Sequence, residues 1–404
     1  MIIINLITLK ESLLDQIGPE KVMIFREPTI NLRAFLVIDN SKYGIPLGDI
    51  RIAPELELNE VIRLARAMSL KAASFKIPIG GASAGLVFDP QSEDKNLYIA
   101  TFGEQIRHLI KEDIFYPEPG LGSKHKDVEN IFKISGRPEL IPRKIGIFKY
   151  DIPLKKKYIG ISVSHCLNII HQNLSKFKII DNEIKWNDPI TILMEGFGRA
   201  GREVAKWLKN FRHKVLGIST LEGAIFDEDG LDIDQLLDLK KEHGDNFINY
   251  YESENLIELQ KEKLFELSTD FPIDFIIPGA RPNSINKNNI EKINAKAIIP
   301  ATTVPYEEEI ISELHERKIL AFPDFISSSG DILALSTRKK VENNISIEEH
   351  IKSKISETTL NLLEKASEKG ISPYEFAKNK ALDEIRVKIE RKKKHIEELK
   401  DIIK

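Results

Sequence analysis

The sequence predicts an α/β protein of two domains with a helical C-terminal tail, and three observations carry that expectation. The chain has 404 residues, enough for two or three domains. Its second half alternates apolar strand candidates with helical patterns, which implies a parallel sheet covered on both faces. From about residue 341 the pattern is helical throughout. The expected division is 1–150, 151–340 and a tail of 341–404.

Taken in order, residues 1–7 are apolar but lack a cationic leader and a small-residue cleavage site. They read as a buried strand or helix edge rather than a signal peptide. Residues 34–38 (Ala-Phe-Leu-Val-Ile) read as a buried strand, with Asn40 and Ser41 as the turn behind it. Residues 59–68 place apolar side chains three and four apart, as an amphipathic helix does. Residues 118–123 (Glu-Pro-Gly-Leu-Gly-Ser) read as a loop, because Pro and Gly punctuate them. The basic run Lys155, Lys156, Lys157 reads as a solvated hinge surface near the domain junction.

In the second half, residues 190–195, 214–219, 275–278, 297–299 and 319–322 are strand candidates. In the tail, Ser372, Pro373 and Glu375 form a helix start: a capping serine, proline in the first turn, and a glutamate three after the serine. Leu382, Ile385, Ile389, Ile396, Leu399 and Ile403 follow heptad-like spacing, with one slot lost to Lys392. This reads as a helix packed on its own subunit in preference to an intersubunit coil.

Composition excludes several classes. An apolar fraction of 42% suits a folded core, and a net charge of -3 gives no reason to expect nucleic acid or a membrane surface. The single cysteine, Cys166, cannot form an intramolecular disulfide, so the chain reads as cytoplasmic. No apolar run reaches the ~20 residues that span a bilayer. No His, Cys, Asp or Glu cluster has metal-ligand spacing. Cys166 and His165, near Ser162 and Ser164, read as part of a packed helix with a free thiol.

Gly196, Gly198 and Gly201 make G-x-G-x-x-G between a strand candidate and the helical pattern of residues 202–208. In that setting the glycines permit a tight turn and close backbone approach, and the helix N-terminus favours a pyrophosphate. Arg199 and Ala200 lie inside the motif. The second half is therefore expected to be a Rossmann-like dinucleotide-binding domain. Its second strand should end in an acid that accepts from the adenine ribose. The sequence has Ser219 and Thr220 there, and a neutral residue removes repulsion against a 2′-phosphate. This leans slightly towards NADP over NAD, with Arg199 and Arg202 either as nearby positive charge or as solvated helix residues; the missing acid reads equally as decayed nucleotide affinity.

Residues 68–85 (Met-Ser-Leu-Lys-Ala-Ala-Ser-Phe-Lys-Ile-Pro-Ile-Gly-Gly-Ala-Ser-Ala-Gly), followed by Asp89 and Pro90, resemble the signature of the glutamate/leucine/phenylalanine/valine dehydrogenases. Residues 47–51 (Leu-Gly-Asp-Ile-Arg) look like that family's Leu/Lys-Gly-Gly-x-Arg segment. Residues 226–232 look like its Tyr-Asn-Pro-Asp-Gly-Leu-Asp, and residues 323–325 with Gly330 like its Pro-Asp-Phe/Tyr region. The similarity covers roughly residues 28–336.

The resemblance implies reversible oxidative deamination: hydride passes to a nicotinamide and water attacks the imine. It implies that the first domain carries substrate and oligomer contacts and that the protein is a homo-oligomer. A first family lysine falls on Lys71, as a binder of the α-carboxylate. The catalytic lysine, carried on a glycine-rich turn, falls on Ser83, and the proton-shuttling aspartate falls on Gly120. Lys126, Asp127 and Val128 fit downstream and pin the alignment. Leu47 stands where glutamate-specific members use a lysine, which favours an apolar side chain on any amino-acid substrate. Gly80 and Gly81 belong to the substrate side; Gly279, Ala280 and Thr303 belong to the cofactor side. Ile159, Thr303 and residues 328–331 depart from the family's pattern around the expected nicotinamide. Asp49, Lys76, Glu118 and His125 are the local candidates for replacement acid–base chemistry, each read first as solvated or structural.

Two functions remain on these residues. One is an NAD(P)-linked oxidoreductase acting on an amino acid or a related imine or keto acid, with altered proton-transfer groups. The other is a catalytically inactive relative with a ligand-binding, regulatory or scaffold role. The phosphate loop in its proper setting favours the first.

Overall fold

The computed structural model describes residues 13–140, 144–145, 148–149, 157–173, 175, 177, 185–336 and 346–403, with backbone only for 144–149 and beyond 391. The readings of residues 1–7, of Lys155 and Lys156, and of the side chains at 392, 396, 399 and 403 lie outside what is described. The chain forms two compact units, Met1–Pro153 with Lys380–Lys404, and Leu154–Asn379.

The first unit is built on a five-stranded sheet. Its strands are β1 (Lys21–Glu27), β2 (Leu32–Asn40), β3 (Ile45–Ile52), β4 (Ile79–Leu86) and β5 (Tyr116–Pro119), in the order β1-β2-β4-β3-β5. β1 and β2 are antiparallel, as are β2 and β4, whereas β3 runs parallel to both β4 and β5. Helix α1 (Leu58–Ser74) buries Val61, Ile62 and Ala65 against Phe35 and Val37 of β2. Helices α2 (Lys95–Gln105), α3 (Arg107–Lys111) and α4 (His125–Ile134) follow, and α2 packs on α4. A short antiparallel pair, β6 (Lys144–Ile145) and β7 (Phe148–Lys149), completes this part.

Two expectations change here. The glycine-rich segment is strand β4, buried at every position, rather than a turn. Its small residues let α1 approach closely: a Cβ at Gly81 would stand 2.2 Å from Ser69 Oγ. Glu118 and Pro119 belong to strand β5 rather than to a loop. Among the described residues β5 pairs only with β3, and an edge strand tolerates proline because the missing N–H faces no partner.

The second unit opens with α5 (Lys157–Asn173). Its sheet holds β8 (Thr191–Glu195), β9 (Lys214–Ser219), β10 (Ala224–Phe226), β11 (Ile257–Leu259), β12 (Phe275–Ile277), β13 (Ala297–Ile298) and β14 (Leu320–Ala321), in the order β11-β10-β9-β8-β12-β13-β14. β9, β8, β12, β13 and β14 are mutually parallel, as expected. β10 runs antiparallel to both its neighbours, β9 and β11. The link from Ser219 to Ala224 is a tight turn, and strands joined so closely can pair only antiparallel. The helices are α6 (Arg199–Asn210), α7 (Ile233–His243), α8 (Ile310–Glu316), α9 (Asp324–Ser327) and α10 (Gly330–Leu335). The core around β8, β9, β12 and β13 includes Leu193, Leu216, Ile276, Ile298 and Leu314, all nearly inaccessible to solvent.

Helix α11 (Ile347–Lys369) begins with a reciprocal cap: Ser346 N donates to Glu349 Oε2 at 3.0 Å and Glu349 N to Ser346 Oγ at 3.1 Å. It packs on α5, where the buried Cys166 Sγ lies 3.5 Å from Thr359 Oγ1. Burial pushes the Cys166 thiol up to about 12. Helix α12 (Pro373–Ile403) starts at the expected cap, with Glu375 N donating to Ser372 Oγ at 3.1 Å. Ile385 is buried within the chain itself, and Tyr43 Oη donates to Glu384 Oε1 at 3.3 Å. Among the described residues no helix is long and apolar enough to cross a membrane.

Candidate functional site

In the second unit the geometry converges at the carboxyl end of β8. This strand is the switch point of the sheet, with β9 on one side and β12 on the other, where open α/β sheets bind ligands. Gly196 follows the strand at φ 86°, in the left-handed region that favours glycine. Its amide donates to Ser219 O at 3.0 Å, which ties the turn to the end of β9. Gly201 sits in the first turn of α6, where an added Cβ would stand 2.1 Å from Gly196 O. Packing alone therefore requires glycine at 201.

Gly198, the residue before α6, is different. It is exposed, its φ is an ordinary −78°, and a Cβ built there would meet nothing within 4 Å. Packing gives no account of it. The open face lies at the positive end of a helix, beside the exposed Arg199 and the half-buried Ala200. An unfilled cradle at a helix N-terminus fits a pyrophosphate.

Ser219 is buried and Thr220 half-buried at the end of β9. Thr220 N donates to Gly223 O at 2.8 Å, and its Oγ1 accepts from Glu222 N at 3.1 Å. The threonine thus closes the tight turn. Lys261 Nζ reaches the same turn, donating to Leu221 O at 3.3 Å.

Gly279 and Ala280 follow β12, and Thr303 lies beyond β13. Here the structure adds a residue that the sequence reading missed. Glu195, the last residue of β8, is buried, accepts from Ser284 Oγ at 2.6 Å and from Ala280 N at 3.3 Å, and pairs with Arg281 Nε at 3.0 Å. It fixes the segment carrying Gly279 and Ala280 to the glycine turn. Its signal was available: a carboxylate ending an otherwise apolar strand needs partners. Asp324, also buried, accepts from Val304 N at 2.9 Å and so holds the residue after Thr303, itself at φ 58°.

In the first unit, Lys71 is buried to 3% exposure in the last turn of α1. Leu47, at 1% exposure, lies in β3 between Gly81 of β4 and Tyr116 of β5. Gly80 and Gly81 are buried in β4. Ser83 of β4 and the loop after β5 lie on opposite sides of β3 and are joined by one of its side chains. Ser83 Oγ donates to Asp49 Oδ1 at 3.0 Å, and a Cβ built at Gly120 would lie 2.6 Å from Asp49 Oδ2. Gly120 N is held by Ser123 Oγ at 2.8 Å, and Ser123 Oγ donates in turn to Ile50 O at 2.8 Å. Asp49 Oδ2 is 3.6 Å from Arg51 Nε, and Arg51 also pairs with Glu60 at 3.2 Å. Burial raises the Glu60 carboxyl above its ordinary range, with Arg51 opposing.

Of the other candidates for replacement chemistry, Lys76 projects from the surface and pairs with Glu384 at 3.5 Å. His125 is exposed at the start of α4. Glu118 is half-buried and is the register partner of Asp49 across β3 and β5. Among the described residues no three His, Cys, Asp or Glu side chains are placed to hold a metal ion.

Comparison with known proteins decides the family. Residues 174–392 match the profile described as Glutamate/Leucine/Phenylalanine/Valine dehydrogenase, and residues 19–134 match that of the Glu/Leu/Phe/Val dehydrogenase, dimerisation domain. The chain belongs to the Glu/Leu/Phe/Val dehydrogenase family. Among its relatives in this family, an NAD-specific glutamate dehydrogenase of Staphylococcus aureus is 28% identical over 355 residues, 85% of this chain and 80% of the relative. An NADP-specific glutamate dehydrogenase of Saccharolobus shibatae is 25% identical over 306 residues, 73% of this chain and 67% of the relative. Solved structures share the fold. A hetero-hexameric glutamate dehydrogenase from Thermus thermophilus in a leucine-bound form superposes with TM-score 0.70 at 18% identity, covering 92% of this chain and 89% of that one. An L-tryptophan dehydrogenase from Nostoc punctiforme gives 0.59 at 18% identity, covering 92% and 97%. The two-domain α/β architecture of this dehydrogenase family, with its Rossmann-like unit and helical C-terminal region, is therefore the architecture of this chain.

Proposed function

We propose that this chain is an NAD(P)-linked oxidoreductase acting on the C–N bond of an amino acid with an apolar side chain, or on the corresponding imine or keto acid. The observation that carries the reading is the open Gly198 at the N-terminus of α6, a glycine for which packing offers no reason. Around it, Gly196, Arg199, Ala200, Gly201, Ser219, Thr220, Gly279, Ala280 and Thr303 would hold the dinucleotide. When bound, the nicotinamide ring takes up the hydride that leaves the substrate's α-carbon.

On the substrate side, Lys71 would bind the α-carboxylate as a point charge, and the backbone at Gly80 and Gly81 would line the site. Leu47 is apolar where a dicarboxylate would need a cation, so a substrate side chain with a second carboxylate would lose a charge partner. Thr220 carries no charge to repel a 2′-phosphate, and Lys261 adds a cation at the same turn, which supports NADP over NAD. The family's dimerisation domain supports a homo-oligomer. A single cysteine, which can form no intramolecular disulfide, supports a cytoplasmic protein.

Calorimetric titration with NADPH and NADH tests the cofactor half, with NADPH expected to bind more tightly. Turnover is then sought with branched-chain and aromatic L-amino acids, and with their 2-oxo acids plus ammonium. Absence of binding at millimolar dinucleotide refutes the proposal. Binding without turnover of any of these substrates favours a ligand-binding or regulatory protein instead.

A further inference from the structure

We propose that Asp49 is the proton-transfer residue of this site, its carboxylate occupying the space of the two groups the family keeps at positions 83 and 120. This rests on the reading of the chain as an amino-acid oxidoreductase.

Three separate segments meet at this carboxylate. The register that pairs Leu47 with Gly81 and Ile50 with Ala84 sets Asp49 of β3 beside Ser83 of β4. Ser83 donates to Oδ1 at 3.0 Å, and its oxygen lies 3.3 Å from Asp49 O. On the other side Gly120 leaves room for Oδ2: a Cβ there would stand 2.6 Å from Oδ2 and 2.9 Å from Asp49 Cβ, with Ile50 O also at 2.9 Å. Gly120 has no positive φ to demand glycine. Its lack of a side chain is a matter of space, which the Asp49 side chain and the Ile50 carbonyl share. A side chain at 120 would press on both the Asp49 carboxylate and the Ile50 carbonyl, which couples the two departures from the family pattern.

Asp49 is also suitably exposed. Its side chain is 28% accessible, and among the described residues Oδ2 accepts no hydrogen bond. The charged groups on the packed elements are Arg51 on β3, Glu60 and Lys71 on α1, and Glu118 on β5.

The proton steps balance with one carboxylate. Asp49 first takes a proton from the substrate's ammonium group and passes it to solvent; once hydride has then left the α-carbon, water adds to the iminium carbon and its proton goes to Asp49, while the C=N pair moves to nitrogen. The resulting neutral carbinolamine takes that proton from Asp49 onto its nitrogen. The C–N bond then breaks, ammonia leaves with the bonding pair, and the hydroxyl proton returns to Asp49 as C=O forms. Release of that proton to solvent resets the carboxylate. A carboxylate working alone in this way is general acid–base catalysis of the ordinary kind.

The test compares wild type with Asp49→Asn and Asp49→Ala. Melting temperature and NADPH affinity are measured on the same samples. The proposal expects both variants to bind NADPH as wild type does and to lose at least ~100-fold in kcat, the lower range of a general acid–base contribution. KM should change by no more than a few fold. Asp49→Asn should lose the acidic limb of the pH profile, and formate should restore part of the activity of Asp49→Ala. An active wild type whose Asp49→Asn keeps kcat within threefold, with the same pH profile, overturns the assignment and leaves the function standing. A wild type that binds NADPH but turns over nothing overturns the function and this assignment together. A second measurement needs no activity. Gly120→Asp is introduced into wild type and into Asp49→Gly, and the loss of melting temperature should be at least halved in the Asp49→Gly background. Equal losses in both backgrounds overturn the claim that Asp49 holds the space.

Discussion

Replacing Gly198 by alanine separates binding from folding at the phosphate loop. The added methyl meets nothing within 4 Å and the backbone needs no left-handed conformation, so stability should stay within about 0.5 kcal/mol of wild type. A bound pyrophosphate needs that same space. Displacing it by part of an ångström forfeits a hydrogen bond between a charged phosphate oxygen and the loop, worth about 1.5–3 kcal/mol. That corresponds to roughly 10- to 150-fold weaker dinucleotide binding. Gly201→Ala is the control. Its methyl would stand 2.1 Å from Gly196 O, so the turn itself must move, at a cost of roughly 1–3 kcal/mol in stability as well as affinity. Fluorescence titration with NADPH, with urea unfolding of the same samples, reads both quantities. If Gly198→Ala binds within twofold of wild type, the dinucleotide does not lie over this loop and the reasoning fails.

Two further changes probe the scaffold. Asp274 is fully buried, accepts from Thr191 N at 2.9 Å and from Asn187 N at 3.3 Å, and pairs with Lys296. Asp274→Ala strands those donors and that cation, and should cost about 3–5 kcal/mol in urea unfolding; a loss under 1 kcal/mol would show the network to be dispensable. His213 is lowered by burial, then by His171 nearby, to about 4. The folded state thus binds fewer protons than the unfolded chain between about pH 4 and the ordinary histidine value near 6.5. Its contribution is fully present above that window and is lost as pH falls through it. His213→Gln should shrink the fall in melting temperature between pH 7 and pH 4.5; an unchanged fall would assign the acid sensitivity to other groups.

The second unit was legible because three local signals agreed. The strand ending at Glu195, the glycine turn and the helix from Arg199 each have their own pattern, and the structure joins them in that order. The first unit was less legible. β4 is rich in glycine and alanine, which hide a strand from periodicity, and what makes it a strand is pairing with β2 and β3 far away in sequence. Proline hid β5 in the same way. The two readings that failed at these strands are thus cases where tertiary pairing overrode local composition. The partners of Glu195 and Asp49 were hard to read for a related reason. Each is defined by what it touches: Arg281 and Ser284 for one, Ser83 and the bare backbone of Gly120 for the other. No spacing along the chain announces such contacts. The family pattern, by contrast, was readable from a few short segments, because those segments are fixed by close approaches that only particular residue types satisfy.

The one thiol of the chain is sealed beneath α11 and held protonated at ordinary pH. Maleimide or a spin-label reagent would find nothing to attack on the native molecule. A single cysteine engineered at an exposed position becomes its sole reactive handle, with no prior removal of the native one. Pairs of such handles, one in each unit, would allow distances within the working protein to be followed by resonance energy transfer while substrate and nucleotide are added.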